Sequence, residues 1–219
     1  MLRRYSRRTR WLHSFVYLVT FILFATGGWL LFGQEGKPSV LARLSGIADT
    51  EIHVDSGWLL VALAVVAVTI GWRGTRAFWR ETLHFSPGDA GWLGKWPAAL
   101  FTGHFQRHDG HFDPGQRLAN VAIVSLLVAL IASGVTLVGV SGGPAFVWAL
   151  RIHKWSTIAL APVLLGHIVI ASGLFPGYRG VWRSIHWRGE LSRETATRLW
   201  PAWTEKEVSA ANDPGQRTD

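Results

Sequence analysis

F-V-W-A-L-R-I-H-K-W-S-T-I-A-L-A-P-V-L-L-G-H-I-V-I-A-S-G, residues 146–173, is one apolar run carrying two histidines, His153 and His167, 14 positions apart. Fourteen helical residues at about 100° each end roughly 40° short of four full turns, so both imidazoles project from one helix face. At about 1.5 Å rise per residue they stand roughly 21 Å apart along the axis, one near each edge of a hydrocarbon layer roughly 30 Å thick. Ionisable side chains inside a spanning helix are costly and mark a pathway or a ligand site. Two of them on one face point to two cofactors, one per leaflet.

Working outward, the remaining apolar residues gather into three further blocks, at about 11–32, 52–72 and 118–140. Each block is long enough to span a bilayer and nearly free of acids and lysines. With 219 residues, 49% hydrophobic and only 16% charged, the chain reads as a single domain. The expected fold is all-α: an integral membrane four-helix bundle with a tail over about 174–219. Of the 13 tryptophans, Trp11, Trp29, Trp58, Trp72 and Trp148 sit at or near block ends, where amphipathic rings anchor at the headgroup level.

Basic residues set the expected orientation. Arg3, Arg4, Arg7, Arg8 and Arg10 precede the first block, and Arg73, Arg76, Arg80, Lys95, Arg107 and Arg117 lie between the second and third. Arg179, Arg183, Arg188, Arg193, Arg198, Lys206 and Arg217 follow the fourth. Thus 18 of the 22 lie on one side; Lys37, Arg43, Arg151 and Lys154 are the rest. The positive-inside rule places both termini and the central loop in the cytoplasm of a bacterial inner-membrane protein. The net charge of +8 is then a topology signal. No aromatic-interleaved basic groove or nucleic-acid module accompanies it, so nucleic acid is not an expected partner. Ser6-Arg7-Arg8 looks like a twin-arginine export signal, but the apolar run behind it is long, contains His13 and has no small-residue cleavage site. It reads as a retained first helix.

There is no cysteine. That excludes disulfides, thiolate-held iron–sulfur clusters, zinc-thiolate sites and covalent c-type haem attachment. Walker, dinucleotide-fingerprint, H-E-x-x-H and nucleophile-elbow motifs are also missing from the sequence. Any redox cofactor must be held through histidine or without covalent attachment.

Tracing the chain through the membrane sorts the four intramembrane histidines by depth. His13 opens the first helix on the cytoplasmic side, and His53 opens the second on the periplasmic side. The fourth helix descends, so His153 is periplasmic and His167 cytoplasmic. The pairs at matched depth are His13 with His167 and His53 with His153, as bis-histidine haem ligation requires. Gly27 lies 14 positions after His13, and Gly71 lies 18 after His53. Each should meet the other cofactor, where a flat macrocycle needs a close backbone. Gly166, Ser133 and Gly134 are further small residues; ordinary helix packing in membranes explains many such positions. Pro162 should kink the fourth helix and free a carbonyl. Among the remaining histidines, His104 and His108 have helical spacing, with His111 three further on. His84, His104, His108, His111 and His186 are expected in solvated or interfacial loop, with a quinone or proton path or a metal as alternatives.

A resemblance gathers these features. R-W-L-H (10–13), His53, F-D-P-G-Q-R-L (112–118), the two histidines of helix four, Y-R-G-V-W (178–182), G-E-L-S-R-E (189–194) and W-P-A-W (200–203) resemble the cytochrome b (gamma) subunit of membrane-bound respiratory formate dehydrogenases. That subunit belongs to the prokaryotic di-haem cytochrome b superfamily, which it shares with hydrogenase cytochromes. The similarity runs over about residues 5–204. It implies two haems b, one held by His13 and His167 on the cytoplasmic side and one by His53 and His153 on the periplasmic side. It also implies a quinone pocket beside the cytoplasmic-side haem, and so beside His167, lined by an asparagine and a glycine. The glycine is Gly115, and Asp113 stands at the asparagine position. An ionised acid accepts hydrogen bonds there but cannot donate one.

The implied activity is an electron relay. A periplasmic molybdenum or tungsten subunit oxidises formate, an iron–sulfur subunit passes the electrons on, and menaquinone or ubiquinone accepts them near the cytoplasmic face. The chain by itself is not expected to oxidise formate. Two other readings fit the same residues: a di-haem cytochrome b serving a hydrogenase or another quinone-linked oxidoreductase, and a haem-free membrane anchor or small transporter.

Overall fold

The structure, a computed structural model, describes residues 1–34 and 36–212. Arg217, one of the basic residues counted above, lies outside the described residues. A two-residue strand β1 (Leu2–Arg3) comes first, then helix α1 (Arg7–Phe32), a short α2 (Val40–Ser45) and α3 (Asp49–Thr69). Next are α4 (Trp72–Thr82), α5 (Asp89–Thr102), α6 (Pro114–Gly139) and α7 (Gly143–Ala171). The tail contributes a 3₁₀ turn at Pro176–Tyr178, α8 (Arg183–His186), strand β2 (Glu190–Leu191), α9 (Arg193–Leu199) and α10 (Pro201–Asn212).

Four of these helices, α1, α3, α6 and α7, are long and apolar enough to cross a membrane, and most of their surface is uncovered by protein. Phe15, Phe21, Val128 and Leu165 are all exposed along them, as a lipid-facing surface requires. Trp11, Trp58, Trp72 and Trp148 are exposed too. The chain is an all-α membrane helical bundle. The spans start three to four residues before the apolar blocks, and for α1 and α6 a side-chain cap sets the start. Ser6 Oγ accepts from Thr9 N at 3.1 Å and caps α1. Asp113 Oδ1 accepts from Gln116 N at 2.8 Å and caps α6, with Pro114 at the first helical position, where a missing N–H is harmless. Helix α3 ends at Thr69, so Gly71 falls beyond it and does not share a helix face with His53. The cofactor role expected of Gly71 is withdrawn for that reason. Helix α7 continues through Pro162 to Ala171.

Two compact units can be told apart. One comprises Met1–Arg10, Arg76–Val124 and Pro162–Asp219. Its core is Leu100, Tyr178, Val181, Leu191, Ala196, Leu199, Trp200 and Trp203. Here β1 and β2 pair antiparallel, Leu2 opposite Leu191, which brings the first residues against the tail. The other comprises Trp11–Thr75 and Ser125–Ala161. In it the connection from α1 to α3 is pinned by the buried Asp49, which accepts from Ser39 N at 2.9 Å and from the Ser39 hydroxyl.

Candidate functional site

His53, in the first turns of α3, and His153, in the first half of α7, come together in the second unit. Their ring centroids are 6.1 Å apart with the planes at 77°. Each ring is gripped by a hydroxyl–glycine pair on a neighbouring helix. From α1, Thr26 Oγ1 lies 2.9 Å from His53 Nδ1. A Cβ on the adjacent Gly27 would stand 2.9 Å from His53 Cε1, closer than real Cβ contacts come. From α6, Ser133 Oγ lies 3.0 Å from His153 Nδ1, and a Cβ on Gly134 would stand 3.4 Å from His153 Cε1. Gly27 therefore meets His53, as its place on α1 predicts. Reasoning from the sequence treats Ser133 only as a small residue and does not single out Thr26. The signal was present in the Ser/Thr-Gly dipeptide that α1 and α6 each carry.

His13 belongs to this same unit, on the first turns of α1, with its ring edge-on to Tyr17 at 5.6 Å between centroids. His167 belongs to the first unit, half-buried on the last turns of α7.

The first unit also holds Asp113 and Gly115. Asp113 is only 4% exposed. A Cβ on Gly115 would stand 3.2 Å from Trp92 Cζ3 and 3.3 Å from Asp113 Oδ1, so the backbone passes close beneath the indole. Burial pushes the Asp113 carboxyl up, against the pull of the Gln116 N–H and of His108, Arg4 and Arg117. Beside it Arg117, fully buried, pairs with Asp89 at 2.9 Å. Burial raises the Asp89 carboxyl, but hydrogen bonds from Ser86 and the Arg117 charge outweigh that and hold it below the usual carboxylate range. The buried Arg4 guanidinium stacks over Trp200 at 3.6 Å and Trp203 at 4.6 Å and donates to the His111 carbonyl.

The loop histidines need correction. His104 and His108 are not on a helix, so their spacing brings no common face. His108 is buried, with Nε2 2.9 Å from the Leu199 carbonyl. His111 packs edge-on to Tyr5, Phe112 and Trp203, and burial together with Arg4 lowers it to about 3. These two are packing elements, not solvated loop; His84, His104 and His186 are exposed. Among the described residues no group of three histidine, aspartate or glutamate side chains could hold a metal ion.

Membrane-length helices thus bring two half-buried imidazoles together, an arrangement suited to a membrane cytochrome b. The family model for prokaryotic cytochrome b561 matches residues 4–188, and the chain belongs to that family. No curated protein matches it. It is a multi-pass protein of the prokaryotic inner membrane and a membrane electron-transfer cytochrome that binds haem b.

The His53–His153 pair fits that group. Metal–imidazole bonds of about 2.0–2.1 Å on either side of one ion place ring centroids roughly 6.4 Å apart, close to the 6.1 Å between these rings. Both Nδ1 atoms are engaged by hydroxyls, which leaves both Nε2 atoms for iron. Gly27 and Gly134 keep the approach to the rings clear.

Proposed function

We propose that this chain is the di-haem membrane subunit of a quinone-linked formate dehydrogenase. His53 and His153 would hold one haem b, and His13 and His167 the second. Both termini would lie in the cytoplasm, which puts the first pair on the periplasmic side. A periplasmic iron–sulfur subunit, fed by a molybdenum or tungsten catalytic subunit, would be the electron donor, and menaquinone or ubiquinone the acceptor. The observation that carries the reading is the facing of His53 and His153, each with its Nδ1 within hydrogen-bond distance of a hydroxyl on a neighbouring helix.

Bound haem b supplies one-electron transfer; the protein supplies ligation, orientation and a dry surrounding. The imidazoles would hold the iron from α3 and α7, Gly27 and Gly134 make room for those imidazoles, and the apolar spans would keep water out. Asp113 and Gly115 would border the quinone, beside His167. There Asp113, a carboxyl that burial keeps readily protonated, would hold a proton close to the site of quinone reduction. Support for formate as the donor's substrate comes from the segments that carry the resemblance. Residues 178–182 and 200–203 share one core, and His111, adjoining the 112–118 segment, lies edge-on to Trp203.

Two measurements test this. A pyridine haemochrome assay on the purified protein should give two haems b per chain with low-spin, six-coordinate spectra; one haem, or high-spin spectra, would refute the ligation. Co-purification from the native membrane should bring down molybdenum- or tungsten-containing formate dehydrogenase subunits. A hydrogenase in their place would keep the cytochrome and replace the donor.

A further inference from the structure

We propose that Thr26 and Ser133 are positioning residues that hold His53 and His153 with the proton on Nδ1 and thereby strengthen both as haem ligands, an inference that rests on the ligation proposed above. The argument is a count of hydrogens. A hydroxyl has one hydrogen to give, and a carbonyl can only accept. Thr26 Oγ1 donates to the Ile22 carbonyl at 2.8 Å, and Ser133 Oγ to the Ala129 carbonyl at 2.6 Å. The hydrogen of each hydroxyl is thus committed to its own helix. What faces the histidine, at 2.9 Å and 3.0 Å, is an oxygen lone pair. The arrangement assigns the donor role to the histidine, with the proton on Nδ1 and the free lone pair on Nε2. Two more carbonyls, Leu23 O beside His53 and Leu130 O beside His153, are hydrogen-bond neighbours of the same rings and can also only accept.

Back-bonding of this kind is a common habit of threonine and serine in helices. Thr20, Thr69, Thr102, Thr136 and Thr157 do the same here, each to the carbonyl four residues back. Thr26 and Ser133 differ in having a buried imidazole nitrogen on the hydroxyl's other side, and in being followed by a glycine that clears the ring. The arrangement occurs twice, on α1 against α3 and on α6 against α7. Thr26 is 1% exposed and Ser133 5%, so water does not substitute for either hydroxyl. An acceptor on the outer nitrogen fixes the tautomer and raises the basicity of the ligating one. A more basic ligand favours the oxidised iron, so removing the acceptors should raise the reduction potential.

The test uses the full chain with its haems, titrated potentiometrically and by low-temperature paramagnetic resonance. In the Thr26→Val, Ser133→Ala double variant one of the two haems should shift its reduction equilibrium about tenfold toward the reduced form, an upward move of about 59 mV. Each single variant should give a smaller shift in the same direction, and Thr26→Ser, which keeps the hydroxyl, should titrate as wild type. Loss of haem from Thr26→Val with retention in Thr26→Ser supports the same conclusion. Full haem content with unmoved potentials overturns it, and so does a Thr26→Ser variant that behaves as Thr26→Val, since packing alone is then at work. The ligation itself is tested separately: if His53→Ala removes no haem, the proposed ligation fails and the inference falls with it.

Discussion

The surroundings of His53 and His153 and those of Asp113 treat polarity in opposite ways. Around the two histidines the chain supplies neutral groups only: two hydroxyls, the helix carbonyls behind them and two glycines. Around Asp113 it buries formal charges: Arg117 pairs with Asp89, and Arg4 lies over indole faces and donates to a backbone carbonyl, while Arg4 Nε and Nη1 and Arg117 Nε have no hydrogen-bond partner among the described residues. The contrast shows where each part gets its stability. A buried charge pair is costly to assemble and more costly to leave half-made, so Arg117 and Asp89 each depend on the other. The histidine region is held by neutral hydrogen bonds and close glycine contacts alone.

The sharpest way to break this comparison is to remove one imidazole. His53→Ala should abolish one haem and leave the other, which haemochrome content and spectra check directly. Thermal unfolding of the charged region should hardly move. The converse variant is Arg117→Met, which strands Asp89 without its cation. It should cost about 3–5 kcal/mol, read as a fall in unfolding midpoint, while the haem of His53 and His153 keeps its spectrum. A spectrum lost together with the charge pair would mean the two regions are one energetic structure.

Asp113 offers a finer division. Asparagine also caps helices, so Asp113→Asn should keep the stability of α6 while removing the titratable group. Asp113→Leu should lose about 1 kcal/mol of stability as well. If quinone reduction slows in both, Asp113 handles protons; if neither variant changes turnover, Asp113 is a cap and nothing more.

A further division is in pH. His111, lowered to about 3, contributes stability that is complete above about pH 6.5, its ordinary value, and is lost progressively as pH falls toward 3. Asp89, held below the usual range, adds stability present above its ordinary value and lost as pH falls through its depressed one. The unfolding midpoint should therefore decline from about pH 6.5 downward, and His111→Phe should flatten the upper part of that decline. An unchanged slope in His111→Phe would mean that His111 is not held neutral by its surroundings.

How much of this was legible in the sequence follows from the range of each interaction. Spans are written in composition, and α1, α3, α6 and α7 fall within a few residues of the apolar blocks. The pairing of His53 with His153 could be read from chain direction alone, because a helix crossing a bilayer fixes depth. Gly71 failed because α3 stops at Thr69, a boundary that hydropathy does not mark. His104 and His108 failed because helical spacing counts only on a helix. Thr26 escaped notice because a threonine acquires meaning only through the ring on the next helix. The same holds for Trp92, which covers Gly115 from α5. Arg4 was one of five basic residues counted toward topology, and nothing in its neighbourhood foretold the stack on Trp200 and Trp203.

The closure of β1 on β2 carries a consequence for biosynthesis. Leu2 is made before all four spans, yet its partner Leu191 is made only after them. Arg4 waits longer still, since its indole neighbours are Trp200 and Trp203. Until then Leu2 and Arg4 lack these partners, and an arginine destined for burial stays in water. Completion of the tail thus acts as a late checkpoint. A chain truncated before residue 190 should insert its helices in the membrane and still leave residues 2–4 unfastened, open to proteases that the full chain resists.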